Sequence, residues 1–176
     1  MSMSMLHWQY WVEHLRGGAT APPRASFRQT ILAGVGGMLA ISALALLTSS
    51  AGVPVLMAPF GASCFLVFAV PESPFAQPRN VIGGHLVSTA VGLLLTSVGT
   101  EWWVMGVAVG LSIVAMQITR TGHPPAGADP IVVLLAQPGW TFLATPVLLG
   151  ASVVVGVGLL FNNFRVGPGY PRYWRG

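Results

Sequence analysis

The chain has 176 residues, of which 53% are hydrophobic and only 7% charged. A soluble domain of this size is about one quarter charged, so this composition belongs to the membrane class and excludes an ordinary water-soluble core. The eight basic residues are all arginine, and without a basic cluster interleaved with aromatics the net +4 speaks against nucleic acid.

In chain order, MLHWQYWVEHLR (Met5 to Arg16) mixes Leu6, Trp8, Tyr10, Trp11, Val12 and Leu15 with polar residues, which predicts a short helix at the lipid interface. No signal peptide is read in the first 30 residues. Gly17-Gly18 and Pro22-Pro23 end the helix, and residues 1–28 form an N-terminal segment distinct from the core. Apolar segments follow at about 31–50, 53–70, 82–100, 102–120, 125–137 and 140–162. The first, third, fourth and sixth have the length of a span, about 20 residues, whereas the second and fifth are short and begin at Pro and Gly. Cys64, the lone cysteine, is a packing residue within the second.

Six crossings with a cytoplasmic N-terminus put Arg16, Arg24, Arg28, Arg79, Arg120, Arg165, Arg172 and Arg175 on one side, as the positive-inside rule asks. Tyr170, Tyr173 and Trp174, in a cytoplasmic tail of residues 166–176, are expected as interfacial anchors.

PFGASCFLVFAVP (Pro59 to Pro71) and PAGADPIVVLLAQP (Pro125 to Pro138) align at an offset of 66, with Pro59 on Pro125, Gly61 on Gly127, Ala62 on Ala128 and Ser63 on Asp129. The flanking spans pair at roughly the same offset. The predicted fold is therefore all-α and integral to the membrane, with six membrane elements over residues 29–165 in two inverted three-element halves (about 29–100 and 101–165). Each half carries a half-helix, starting near Pro59 and Pro125, and paired broken helices of this kind mark transport sites. Pro suits the first turn of a helix, Gly permits close approach, and the free N–H groups at the start attract an anion.

The runs APFGAS (Ala58 to Ser63), PESPFAQPRNVIGGH (Pro71 to His85) and TGHPPAGADP (Thr121 to Pro130) resemble the HPP family of integral membrane proteins, named for its His-Pro-Pro motif. The likeness covers about residues 28–165. It implies a multi-spanning protein, and plastid and cyanobacterial relatives are implicated in nitrite transport.

The candidate substrate-binding residues are Pro59, Gly61, Ala62, Ser63, Arg79, Asn80, His85, Arg120, His123, Pro124, Pro125, Gly127 and Asp129. Backbone N–H groups after Pro59 and Pro125, with Ser63, would cradle a small anion near the membrane midplane, and Arg79, Arg120, His85 and His123 would supply positive field. Each has a structural alternative. Arg120 serves as an interfacial charge, His123 caps the turn, His85 is held by a backbone carbonyl, and Asp129 suits a helix start or pairs with Arg120 or Arg79. A Glu72–Arg79 ion pair would stiffen the polar loop 71–80.

The expected function is passage of a small inorganic anion, nitrite first, passive or proton-coupled, in a bacterial inner membrane. The alternatives are a different solute, or a non-transporting scaffold or sensor subunit. No paired His or Cys spacing, phosphate loop or nucleophile elbow is present, so no enzyme, metal or cofactor is expected. The expected partners are the anion, the bilayer and further copies of the chain through Gly-rich faces.

Overall fold

The computed structural model describes residues 3–164 and 169–175; Arg165 and the start of the predicted tail lie outside them. The fold is helical, with no strand among the described residues. α1 (Met3–Leu15) covers the predicted interfacial helix and exposes Trp8, Tyr10, Trp11 and Leu15. α2 (Phe27–Ala51) starts at a capping box, in which Ser26 accepts from the Gln29 N–H and the Gln29 side chain accepts from the Ser26 N–H. It ends at Gly52, in the left-handed conformation usual for a helix stop.

α3 (Pro59–Ala69) is the first half-helix, starting at Pro59 as its sequence predicts. A proline-rich loop with one 3₁₀ turn (Pro74–Ala76) leads into α4 (Pro78–Leu95), and α5 (Trp102–Ile118) follows. The second half-helix begins one residue before the expected Pro125, and it begins as a 3₁₀ turn (Pro124–Ala128). α6 proper (Asp129–Ala136) has eight residues. The predicted continuous span at 140–162 is also not one straight helix. It opens with 3₁₀ and π turns, breaks at Thr145 (φ −136°, ψ 121°) before Pro146, and continues as α7 (Leu149–Phe164). Pro146 supplies no N–H, and the residue before a proline is pushed towards extended backbone.

Among the described residues, two helical stretches, Phe27–Ala51 and Trp140–Phe164, are long and apolar enough to cross a bilayer. The other two segments expected to qualify fall short of that mark. α5 has 17 residues. α4 has 18, but it carries Arg79, Asn80, His85, Ser88 and Thr89. Only 17% of the most apolar stretch of α2 is buried, the opposite of a soluble core helix. Ile31, Met38, Leu46, Leu111, Val114 and Ile118 point outwards, while Ser63, Gln77, His85, Ser88, Thr89, Ser112, His123 and Asp129 are buried. An apolar exterior around a polar interior is stable in lipid and unstable in water.

The packing has a regular exchange. α2 packs on α3 and α5 on α6, while α4 packs on α5 and α6, and α7 on α2 and α3. Glycines mark the closest approaches. A Cβ built on Gly84 would lie 2.8 Å from the Thr121 carbonyl oxygen, and one on Gly150 would lie 2.8 Å from that of Val55. Gly92 meets Val133, and Gly158 meets Val67.

One end of the bundle gathers the polar segments. The Arg79 guanidinium donates to Thr119 O at the end of α5 (3.1 Å), and Asn80 Nδ2 donates to Gly122 O (2.9 Å). Residues 169–175 dock here too. Tyr170 is 2% exposed and donates its hydroxyl to Ala76 O, Tyr173 donates to Asn80 Oδ1 and Pro74 O, and the Arg172 N–H donates to Gln77 Oε1. Tyr170 is therefore a buried tie rather than an interfacial anchor, and burial pushes its phenol above the ordinary tyrosine range. Trp174 is exposed, as an anchor would be.

Candidate functional site

α4 turns one face inwards. His85, Ser88, Thr89 and Gly92 fall at helical spacing on it, and all four are buried. Gly83 and Gly84 precede them, and their missing side chains let the segment Thr121–His123 lie directly on α4. That segment is aimed by Arg120. Its φ of 55° is left-handed, and Thr121 N–H bonds Met116 O while Arg120 N–H bonds Gln117 O. This is the Schellman closure, in a position that glycine usually takes. The Arg120 side chain is exposed, so the structure gives this residue a backbone role at the turn.

Four of the thirteen predicted residues come together as a continuous hydrogen-bonded chain. His85 Nδ1 lies 2.7 Å from Asp129 Oδ2, and His85 Nε2 lies 2.8 Å from Ser63 Oγ. The same Oγ lies 2.8 Å from His123 Nε2, and His123 Nδ1 lies 2.7 Å from the Phe75 carbonyl oxygen. Ser63, His85 and Asp129 are fully buried, and His123 is 1% exposed. The two imidazoles meet edge to face with centroids 4.9 Å apart, and the Phe60 ring covers His85 at 5.0 Å. Thr89 donates to Asp129 Oδ2 at 3.3 Å, whereas Asp129 Oδ1 has no partner among the described residues.

The chain thus crosses four elements: α6, α4, α3 and the turn before α6. Asp129 pairs with His85, not with Arg79 or Arg120. The ring nitrogens of His85 are held by side chains; the backbone carbonyl expected for it is taken by His123 instead.

The remaining candidates lie around this chain. Pro59 and Pro125 are buried, and Ser63 Oγ also reaches Pro59 O at 3.3 Å. Gly61 and Ala62 face outwards, Gly61 on a groove of about 1120 Å³ shared with Arg28, Phe65 and Glu72. Pro124 is exposed, Gly127 is half-buried, and Arg79 and Asn80 tie the loop end of α4 to the turn after α5. Phe75, Ser88 and Thr89 were not singled out from the sequence. Ser88 donates to Ala126 O at 2.6 Å and so fixes the 3₁₀ turn. The signal for Ser88 and Thr89 was present, because hydroxyls three and four residues after a histidine share its helix face.

Apolar surface outside and a sequestered ionisable chain inside define a helical integral membrane protein with an internal polar site. The chain belongs to the HPP family: the family model described as "HPP, transmembrane region" matches residues 22–171. Two proteins of Dictyostelium discoideum, each described as a transmembrane protein, are similar to it. One is 39% identical over 68% of this chain and 45% of its own length. The other is 34% identical over 99% of this chain and 60% of its own length. The chain spans about half the length of these curated relatives. No solved structure matches.

Proposed function

We propose that the protein moves a small inorganic anion across the membrane, with nitrite, the solute the family resemblance implies, as first choice. The observation that carries this reading is the meeting of the two half-helix starts inside the bundle, where Ser63 of α3 touches His123 at the head of the second. Imidazole N–H and hydroxyl groups are donors that a two-oxygen anion can bridge. The backbone cradle expected after Pro59 and Pro125 is already spent on turns, because Phe60 N–H donates to Met57 O, Gly61 N–H to Ala58 O and Ala126 N–H to His123 O. Movement is passive or coupled to protons.

The wider architecture we propose is six membrane elements in two inverted halves, in a bacterial inner membrane with both termini cytoplasmic. Its support is the exchange in packing, since at the offset of 66 Gly84 and Thr121 correspond to Gly150 and Val55. Likewise Gly92 and Val133 correspond to Gly158 and Val67. Each half thus uses its third element to grip the other half in the same way. The gathering of the Arg79, Arg120 and Arg172 backbone positions at one end of the bundle fits the positive-inside rule.

Ser63, His85 and Asp129 also follow the hydrogen-bond order of a hydrolytic triad. In a hydrolase the serine oxygen must be open to a carbonyl carbon, whereas here His123 occupies its other side and the residue is fully buried. That closure speaks against acyl transfer at Ser63, and an anion would reach the same oxygen only after the Ser63–His123 contact opens.

Purified protein in liposomes, assayed for nitrite, nitrate, formate and chloride flux, tests it. Nitrite flux above empty vesicles is expected. Flux of a different solute alone replaces nitrite, and no flux of any of the four leaves the scaffold or sensor reading. His123→Ala should lower flux without blocking insertion. In a Cys64→Ser background, labelling of cysteines at Ala51 and Thr121 from the same side would refute the inverted arrangement.

A further inference from the structure

The four contacts from Asp129 to Phe75 have a proton inventory that can be counted. Each is 2.7 or 2.8 Å long, so each needs one hydrogen between its two heavy atoms. The two ends, a carboxylate oxygen and a peptide carbonyl, contribute none. Between them, two neutral imidazoles and one hydroxyl contribute three. Three hydrogens cannot fill four contacts, and the contact left empty would set two lone pairs against each other in a dry interior. From this we infer that the Asp129–His85–Ser63–His123 chain is a binding site for a single proton, held in addition to those of two neutral histidines and the serine.

Charge fixes the number at one. The groups facing the chain are Ser63 from α3, His85 and Thr89 from α4, Asp129 from α6, and His123 and the Phe75 carbonyl from the connecting segments. Asp129 brings the negative charge, so one added proton makes the chain neutral. A second would accompany a turn of the Ser63 hydroxyl towards Pro59 O, its longer contact at 3.3 Å. That state would leave a net positive charge at a fully buried position, which is strongly unfavourable.

The bound proton has three resting places, and moving between them breaks no heavy-atom contact. With the proton on His123, both imidazolium nitrogens donate, to Phe75 O and to Ser63 Oγ, while the Ser63 hydroxyl donates to His85 Nε2 and His85 Nδ1–H donates to Asp129. Transfer of the Nε2 proton of His123 to Ser63 Oγ, with the serine proton passing to His85 Nε2, leaves His123 neutral and His85 cationic. Transfer of the Nδ1 proton of His85 to Asp129 then gives a neutral acid and a neutral imidazole. Ser63 finishes with one hydrogen each time, so it bridges the two histidines without keeping the charge.

The inference deepens the proposed site but is read at equilibrium, without flux. Asp129 is the chain's single aspartate, so carboxyl-¹³C aspartate gives an infrared signal from one residue. In a His7→Gln/His14→Gln background, ¹⁵N-histidine spectra report only His85 and His123. At neutral pH in lipid nanodiscs, protonated Asp129 plus doubly protonated imidazole should sum to one per chain. A sum of zero or two overturns the proposal. Ser63→Ala breaks the bridge between the histidines but leaves the Asp129 charge, so the sum should stay at one with the proton confined to His85 and Asp129, and doubly protonated His123 should vanish; Ser63→Thr should restore the bridge. If Ser63→Ala does not fold, the sum in the serine-bearing protein still decides. A sum of one without nitrite flux keeps the proton site and removes transport, whereas flux with a sum of zero does the reverse.

Discussion

Gly84→Ala tests whether the approach of Thr121–His123 to α4 holds the buried chain together. The new methyl would lie 2.6 Å from His123 Cβ and 2.8 Å from the Thr121 carbonyl oxygen, where ordinary contact begins at 3.4 Å. Neither obstacle is the free end of a flexible side chain, so the segment must retreat by about 0.8 Å at His123 and 0.6 Å at Thr121. A retreat along the Ser63–His123 bond, now 2.8 Å, carries it beyond hydrogen-bonding range. Overpacking costs about 1–3 kcal/mol and the lost buried bond about 1 kcal/mol or more, so about 2–4 kcal/mol of stability should go. The assay is the unfolding midpoint in detergent beside the ¹⁵N spectrum of His123. Gly106→Ala is the control, because a Cβ there meets nothing within 4 Å and alanine favours the helix. Gly84→Ala melting with the unsubstituted protein, its His123 signal unmoved, would refute the reasoning.

Three further outcomes follow from the same geometry. Gly150→Ala, whose methyl would lie 2.8 Å from Val55 O, should destabilise by a similar amount while leaving the His123 spectrum less disturbed, as thermal melts and ¹⁵N spectra will tell. Arg120→Gly should raise the unfolding midpoint, because glycine relieves a left-handed strain of about 1 kcal/mol; a lower midpoint means the arginine side chain matters to the turn. Because the buried Tyr170 phenol titrates above its ordinary range, docking of residues 169–175 is at full strength below about pH 10 and weakens as pH rises further. Ultraviolet titration of a Tyr10→Phe/Tyr173→Phe variant checks this, and an ordinary tyrosine midpoint contradicts it.

Much of this was legible in the residues. Scarce charge and long apolar runs marked the membrane class, and proline marked the half-helix starts to within a residue, because it has no N–H to lose in a first turn. Ser63, His85, His123 and Asp129 stood out as polar groups in apolar surroundings. Their pairing did not, since Asp129 meets a histidine 44 residues away and only packing selects that partner over Arg79 or Arg120. The left-handed turn at Arg120 was equally invisible, as nothing in an arginine announces positive φ. Tyr170 has the composition of an interfacial anchor, and only the path of the tail shows that it turns inwards. The bend at Thr145 was hidden in an apolar run that reads as a uniform span.

The strap formed by Tyr170, Arg172 and Tyr173 has a consequence for the order of events during synthesis. Its partners Ala76, Gln77, Pro74 and Asn80 leave the ribosome between 93 and 99 residues earlier. At about 5–20 residues per second that is an interval of roughly 5–20 seconds. Throughout it the carbonyls of Ala76 and Pro74, and the amide oxygen of Gln77, lack these donors. The adjoining Phe75 carbonyl, the terminus of the buried chain, therefore sits, until α7 has been made, in a loop held by its own bonds, among them Gln77 Nε2 to Pro71 O and Ser73 O, and the strap is the late tie that completes it.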